Sequence, residues 1–101
     1  MTHPSRQLDD LVHQRVRLGV LAVLAEAERA DFTHLREVLG VTDGNLSRHL
    51  SVLEEAGYVT LTRSMEGKRP RTWVVATREG RRALDDHLAA LRQIINKVDR
   101  P

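Results

Sequence analysis

Gly44, Ser47, Arg48 and Ser51 recur at i, i+3, i+4 and i+7, the spacing of one face of a helix, with Asn45 at its flank. The chemistry open to such a face is contact with a polar, grooved surface. Arg48 carries the fork that pairs with guanine N7 and O6, and Asn45 has the donor and acceptor that match adenine. Thr42 and Ser47, next to a helix N-terminus, suit phosphate oxygens. Gly44 costs a helix about 1 kcal/mol against Ala, which makes sense where the backbone must come close to a partner. A second set follows: Arg63, Lys68, Arg69 and Arg71 against the single acid Glu66. Each cation that neutralises a phosphate releases a condensed counterion, so this set can grip a polyanion without reading it. The bland alternative for both sets is an ordinary solvated surface.

The elements that must carry these residues are legible from periodicity. Leu46, Leu50 and Leu53 form the inward stripe of a helix over 42–56, capped by Thr42 and closed by Gly57. Asp43 favours that helix start but repels phosphate. The runs 58–63 and 71–76 alternate as half-buried strands, with a polar seven-residue loop at 64–70 between them. Upstream, 8–27 has a helical pattern with a break near His13. Residues 33–39 read as a short helix capped by Thr33, burying Leu35, Val38 and Leu39 and ending at Gly40. Thr77 caps a last helix over 77–98.

That last helix carries Leu84, Leu88, Leu91, Ile95 and Val98 at 4-3-4-3 spacing, a heptad seam. A helix extending past a small core needs a place to bury such a row. A twofold partner is the economical answer, with Leu8 and Leu11 joining the seam. The fold class expected is mainly α with a small β-hairpin (α+β).

At 101 residues the chain is expected to form a single domain, 1–101, with a small core. The composition, 41% apolar and 30% charged, is that of a globular protein. Phe32, Tyr58 and Trp73 are its only aromatics, too few for stacking platforms on single strands. Net charge is only +2, but it is unevenly spread. Residues 1–62 hold 6 Lys and Arg against 9 Asp and Glu, and residues 63–101 hold 10 against 5. The positive charge therefore gathers in the hairpin and the helix after it. No apolar run approaches the ~20 residues that span a bilayer, and Met1–Gln7 lacks a signal-peptide core. The absence of cysteine leaves the redox compartment open but fits a cytoplasmic location without membrane contact, which is the expectation.

The stretch from Phe32 to Leu50, then Leu53-Glu54-Glu55-Ala56-Gly57-Tyr58-Val59, Arg71-Thr72-Trp73 and Ala76-Thr77-Arg78-Glu79-Gly80, resembles the winged helix–turn–helix regulators related to the MarR and ArsR families. The resemblance covers about two-thirds of the chain. It implies a winged helix–turn–helix with N- and C-terminal dimerisation helices: 33–39 as helix 2, 42–56 as recognition helix and 58–76 as wing. It implies a homodimer that binds double-stranded DNA sequence-specifically at an inverted repeat and regulates transcription. The expected DNA contacts are Thr42, Gly44, Asn45, Ser47, Arg48 and Ser51 from the helix, and Arg63, Lys68, Arg69 and Arg71 from the wing. The expected dimer interface is Leu8, Leu11, Leu84, Leu88, Leu91, Ile95 and Val98.

Other classes are weaker. Some ArsR-like proteins bind zinc on the last helix, but Asp85-Asp86-His87 supplies only half of such a site, and Lys97 and Val98 stand where its second half would be. Neither a metal nor another cofactor is expected, and a small-molecule effector is left open. There is no Cys nucleophile, phosphate loop or paired-carboxylate setting, so an enzyme is not expected. The competing reading is a winged-helix interaction module that binds a protein or RNA instead of duplex DNA. Arg48 and the cationic wing argue against it.

Overall fold

In a computed structural model describing residues 3–100, four helices and a three-stranded antiparallel sheet enclose one aliphatic core. The order is α1 (Arg15–Glu26), β1 (Ala30–Asp31), α2 (Phe32–Leu39), α3 (Asp43–Glu55), β2 (Val59–Glu66), β3 (Arg69–Ala76) and α4 (Arg78–Val98), after a 3₁₀ turn at Pro4–Gln7. Residues 1, 2 and 101 of the expected domain lie outside the described residues. Val16, Val20, Leu21 and Leu24 of α1 meet Leu35 of α2, Leu46, Leu50 and Leu53 of α3, and Val59, Val74 and Ala76 of the hairpin. Each of the Val and Leu side chains contributes about 1.5–3 kcal/mol by leaving water. They fix the tilt of α3 against the sheet. Among the described residues, no helix is long and apolar enough to cross a membrane.

Three expected boundaries move, each for a local reason. The 8–27 helix begins only at Arg15, because Gln14 turns its side chain onto the Val16 and Arg17 amides and caps α1 there. Before it, the Asp9 carboxylate accepts from the Leu11 and Val12 amides and bends the chain, so that Val12 plugs the core from outside a helix. Leu8, Leu11 and Val12 have spacings that suit a helix and a turn alike. Helix α2 starts one residue before Thr33, capped by the Asp31 side chain on the His34 amide, and Val38 is left exposed.

The third shift is in the hairpin. The seven-residue loop is a two-residue turn, Gly67-Lys68, and the strands run on to the Glu66–Arg69 pair. Of the two turn residues only Gly67 has positive φ (63°), the pattern of a II′ turn, whose twist matches that of the strands it joins. The distal strands project past the core, so their residues lack the alternating burial that marks a strand in sequence. The turn after α2 is as expected: Gly40 takes φ 64° and closes the helix through the Glu37 and Arg36 carbonyls.

Helix α4 is anchored at its start. The Thr77 hydroxyl donates to the Gly57 carbonyl at 2.6 Å and accepts the Gly80 amide at 3.0 Å, while the Thr77 amide donates to the Tyr58 carbonyl. A Cβ on Gly80 would stand 2.1 Å from that same Tyr58 oxygen. Leu84, expected on the seam, is buried in the chain's own core, together with His87 and Ala90. The 21-residue helix then runs on past that core, with the 3₁₀ turn at Pro4–Gln7 packed along one side of it. Leu91 and Ile94 are half-buried, and Ile95 and Val98 are exposed.

His87 is fully buried and both its ring nitrogens are used. The Asp9 amide donates to Nδ1 at 3.1 Å, and Nε2 lies 2.9 Å from His13 Nδ1. A backbone amide can only donate, so Nδ1 carries no proton, and the neutral ring must donate from Nε2 to His13. This straps the segment before α1 to α4.

Candidate nucleic-acid interface

Helix α3 divides cleanly into two faces. Leu46, His49, Leu50 and Leu53 are buried; Gly44, Ser47, Arg48 and Ser51 are exposed, with Asn45 half-buried between them. The Thr42 hydroxyl accepts the Asn45 amide and caps the helix, leaving the helix start open to solvent. A Cβ at Gly44 would meet nothing within 4 Å, and its φ is not positive. Neither packing nor backbone conformation within the chain requires glycine there. The Ser51 hydroxyl donates to the Ser47 carbonyl at 3.0 Å, so it offers lone pairs outward.

Asn45 departs from expectation in one respect. Its Oδ1 is buried without a partner, whereas bidentate pairing with adenine needs oxygen and nitrogen side by side at the surface. Asp43, the acid at the head of the helix, is held by Arg36 of α2 at 2.8 Å. The ion pair staples the two helices of the turn together and draws the carboxylate's charge away from the open face.

The wing splits by strand register. Val59, Leu61, Arg63 and Met65 share a face with their partners Ala76, Val74, Thr72 and Pro70, and this face turns toward α3. A groove of about 300 Å³ runs between helix and hairpin, lined by Ser47, Ser51 and Glu54 on one side and Leu61, Arg63 and Thr72 on the other. Arg63 is thereby brought beside the exposed serines of α3. Lys68 sits in the turn and Arg69 just after it, both exposed. Among the described residues, Arg48, Arg63, Lys68 and Arg69 make no ion pair.

Arg71 does not belong with them. It lies on the opposite face, bound to Asp31 at 3.5 Å and Glu66 at 3.3 Å, with its guanidinium 5.4 Å from the Trp73 ring. Arg29 covers the same ring at 3.7 Å. Trp73 is thus a cation-covered residue on the outside of the wing, and Arg71 is a structural ion-pair partner whose charge is already met.

Two residues absent from the expected site sit directly beneath it. Arg17 of α1 donates from Nε to the Leu11 carbonyl and from Nη1 to His49 Nδ1, at 3.0 Å. His49 is 7% exposed. Burial, then the charges of Arg17, Arg48 and Arg15, holds its pKa below the ordinary histidine range. The signal for His49 was present, since position 49 falls at i+3 from Leu46 and so on the inner face. Nothing local marks Arg17 as its partner.

A family model described as the winged helix DNA-binding domain matches residues 16–95. An uncharacterised protein of Methanocaldococcus jannaschii is 36% identical over 84 residues, which is 83% of this chain and 91% of that protein. A transcriptional regulator homologue from Pyrococcus horikoshii superposes with a TM-score of 0.83 at 33% identity, with 89% of each chain covered. The Mycobacterium tuberculosis transcriptional regulator MOSR, solved in complex with DNA, shares the fold at a TM-score of 0.72 and 22% identity, covering 94% of this chain and 68% of that one.

Proposed function

The chain belongs to the winged helix DNA-binding domain family, and from that premise we propose that it is a transcriptional regulator binding an inverted-repeat operator as a homodimer. One observation carries the reading. Among the described residues Arg48 is the only cation on the exposed face of α3, and the serines of that face line one groove with Arg63 of a protruding hairpin whose tip carries the exposed Lys68 and Arg69. In this reading α3 enters the major groove with Gly44 and Ser47 against the backbone and bases. Arg48 reads guanine, and Asn45 contributes a single donor through Nδ2. Arg63, Lys68 and Arg69 hold flanking phosphates or the minor groove, and Arg71 takes no part.

Two such helices are needed for a palindromic site, about 34 Å apart along the duplex. The exposed end of α4, with Leu91, Ile95 and Val98, supplies an apolar surface that a second copy can cover. A solved protein of similar fold, NadR, is in complex with 4-hydroxyphenylacetate, and DNA binding by another, BpsR of Bordetella bronchiseptica, is regulated by 6-hydroxynicotinic acid. An effector acting on this chain would fit the same logic, in a cytoplasmic regulator without membrane contact.

Selection from pooled random duplexes at two salt concentrations tests the reading, with Arg48→Ala and Lys68→Ala/Arg69→Ala run beside wild type. Enrichment of an inverted repeat that Arg48→Ala abolishes is the expected result. The wing variant should weaken all duplexes alike and flatten the log–log salt dependence by about 0.9 per lost phosphate contact. If wild type enriches no duplex, the proposal fails, and a protein or RNA partner becomes the better reading.

A further inference from the structure

We propose that Arg17 and His49 are positioning residues that clamp the recognition helix, and that the clamp holds only while His49 is neutral. This rests on the DNA-binding reading above. The direction of the bond between them is fixed by chemistry. A guanidinium has five donors and no acceptor, so His49 Nδ1 must accept and must be unprotonated. The neutral ring then keeps its proton on Nε2. A doubly protonated ring would point an N–H at the N–H of Arg17 and break the contact.

The surroundings oppose that second proton. From α1, Arg17 and Arg15 act on the ring, and from α3 itself Arg48 does; all three are cations, and they add to the burial. The other element packed closely on α3 is β2, whose inward residues there, Val59 and Leu61, are uncharged.

The clamp bears on function because of where it sits. Leu46, Leu50 and Leu53 fix how deeply α3 is buried, but a row of aliphatics resists rotation about the helix axis only weakly. A directed hydrogen bond at His49 fixes that rotation. Arg48 immediately precedes His49, about 100° around the helix axis on the exposed face, so rotation at His49 swings its guanidinium across the groove. Arg17 is itself held from the far side by the Leu11 carbonyl. The helix that reads bases is thus tied through α1 to the segment strapped onto α4.

Protonating His49 also adds positive charge near phosphates, which strengthens binding to any duplex. The measurement is therefore a ratio, affinity for the enriched operator over affinity for an unrelated duplex of equal length. It is taken from pH 7.5 to 5.0 at fixed salt, with circular dichroism confirming the fold at each pH. For wild type the ratio should fall on acidification. For Arg17→Met it should already be about tenfold lower at pH 7.5, the scale of one lost charge-assisted hydrogen bond, and should then stay level. His49→Asn offers an acceptor near the Nδ1 position that cannot titrate, so its ratio, whatever its level, should not change with pH.

A wild-type ratio for Arg17→Met at pH 7.5 overturns the proposal, as does a His49→Asn profile that falls like wild type. Should His49→Asn not fold, ring-nitrogen NMR of the wild-type protein decides: Nδ1 unprotonated at pH 7.5 is expected, and a proton there overturns the clamp. A wild type that discriminates between duplexes while these variants follow it refutes the clamp alone. A wild type that enriches no duplex refutes the DNA-binding reading.

Discussion

Gly44 is the residue at which folding and binding pull apart. It sits in the first turn of α3, in open space, in a conformation any residue can adopt. Gly44→Ala should therefore raise stability, by up to about 1 kcal/mol, because Ala loses less backbone freedom in a helix. If α3 lies against DNA at this point, the same methyl group lowers operator affinity. Thermal melts and operator titrations on one variant separate the two effects, and a variant more stable and equally tight would count against close approach at Gly44. At this scale the spacing of apolar residues was enough to orient α3, because Leu46, Leu50 and Leu53 recur with the helix period. It was not enough for residues whose role depends on distant partners. Arg71 reads as one more wing cation until Asp31, forty positions away, is seen beside it. His49 falls on the inner face by spacing, but nothing local marks Arg17, 32 positions away, as the partner of its ring. Ion pairs and hydrogen bonds across the fold leave no periodic trace.

Among the elements, α4 makes the sharpest demands on its neighbours. Its start is locked into the turn after α3 by Thr77 and by the missing side chain of Gly80, so the wing and α4 are placed by one junction. Gly80→Ala would drive a Cβ into the Tyr58 carbonyl, with backbone on both sides of the clash. It should cost about 1–3 kcal/mol, measured as a lower urea midpoint, with the strain passed to the exit of α3. A loss below a few tenths of a kcal/mol would mean that the junction is loose. The strap at His87 gives α4 a second tie, and it has a pH signature. Burial first, then the neighbouring His13, holds the His87 pKa below its ordinary value, with Asp9 opposing weakly. Tyr58, Glu79, Arg82 and Asp86 line the cleft beside it. Above about pH 6.5 the ring is neutral in both the folded and unfolded chain. As pH falls through that value, the unfolded chain takes up the proton first, so stability drops toward pH 5. His87→Gln should flatten the dependence of urea midpoint on pH between 7 and 5. An unchanged slope would remove His87 as its source. Helix limits and wing length were only partly legible because caps compete. Gln14 and Asp31 won over Leu8 and Thr33, and a single Gly67 shortened a seven-residue loop to two.

For the whole molecule, the question is why so small a body carries so long a helix. The chain extends 59 Å in one direction and only 24 and 22 Å in the others. The heptad spacing of α4 is real over its length, but its parts have different fates. Leu84 belongs to the core, Leu88 packs at its edge, and beyond Leu91 the 3₁₀ turn at Pro4–Gln7 lies along one side of the helix, leaving Ile95 55% and Val98 77% exposed. Exposed aliphatics one helical turn apart at the end of an amphipathic helix are a poor solution for a lone chain, and they suit a surface covered by its twin. The expected dimer interface therefore narrows to Leu91, Ile95 and Val98, with Leu8 and Leu11 half-buried beside the strap. Ile95→Glu/Val98→Glu should leave the core untouched, since neither side chain reaches it. Sedimentation should show dimer for wild type and monomer for the variant, with circular dichroism unchanged. Operator affinity should fall steeply, because each half-site is then bound alone, while the variant's affinity for a single half-site stays near that of wild type. A variant that remains dimeric would move the interface elsewhere on the molecule and leave the exposed end of α4 without the role argued for it here.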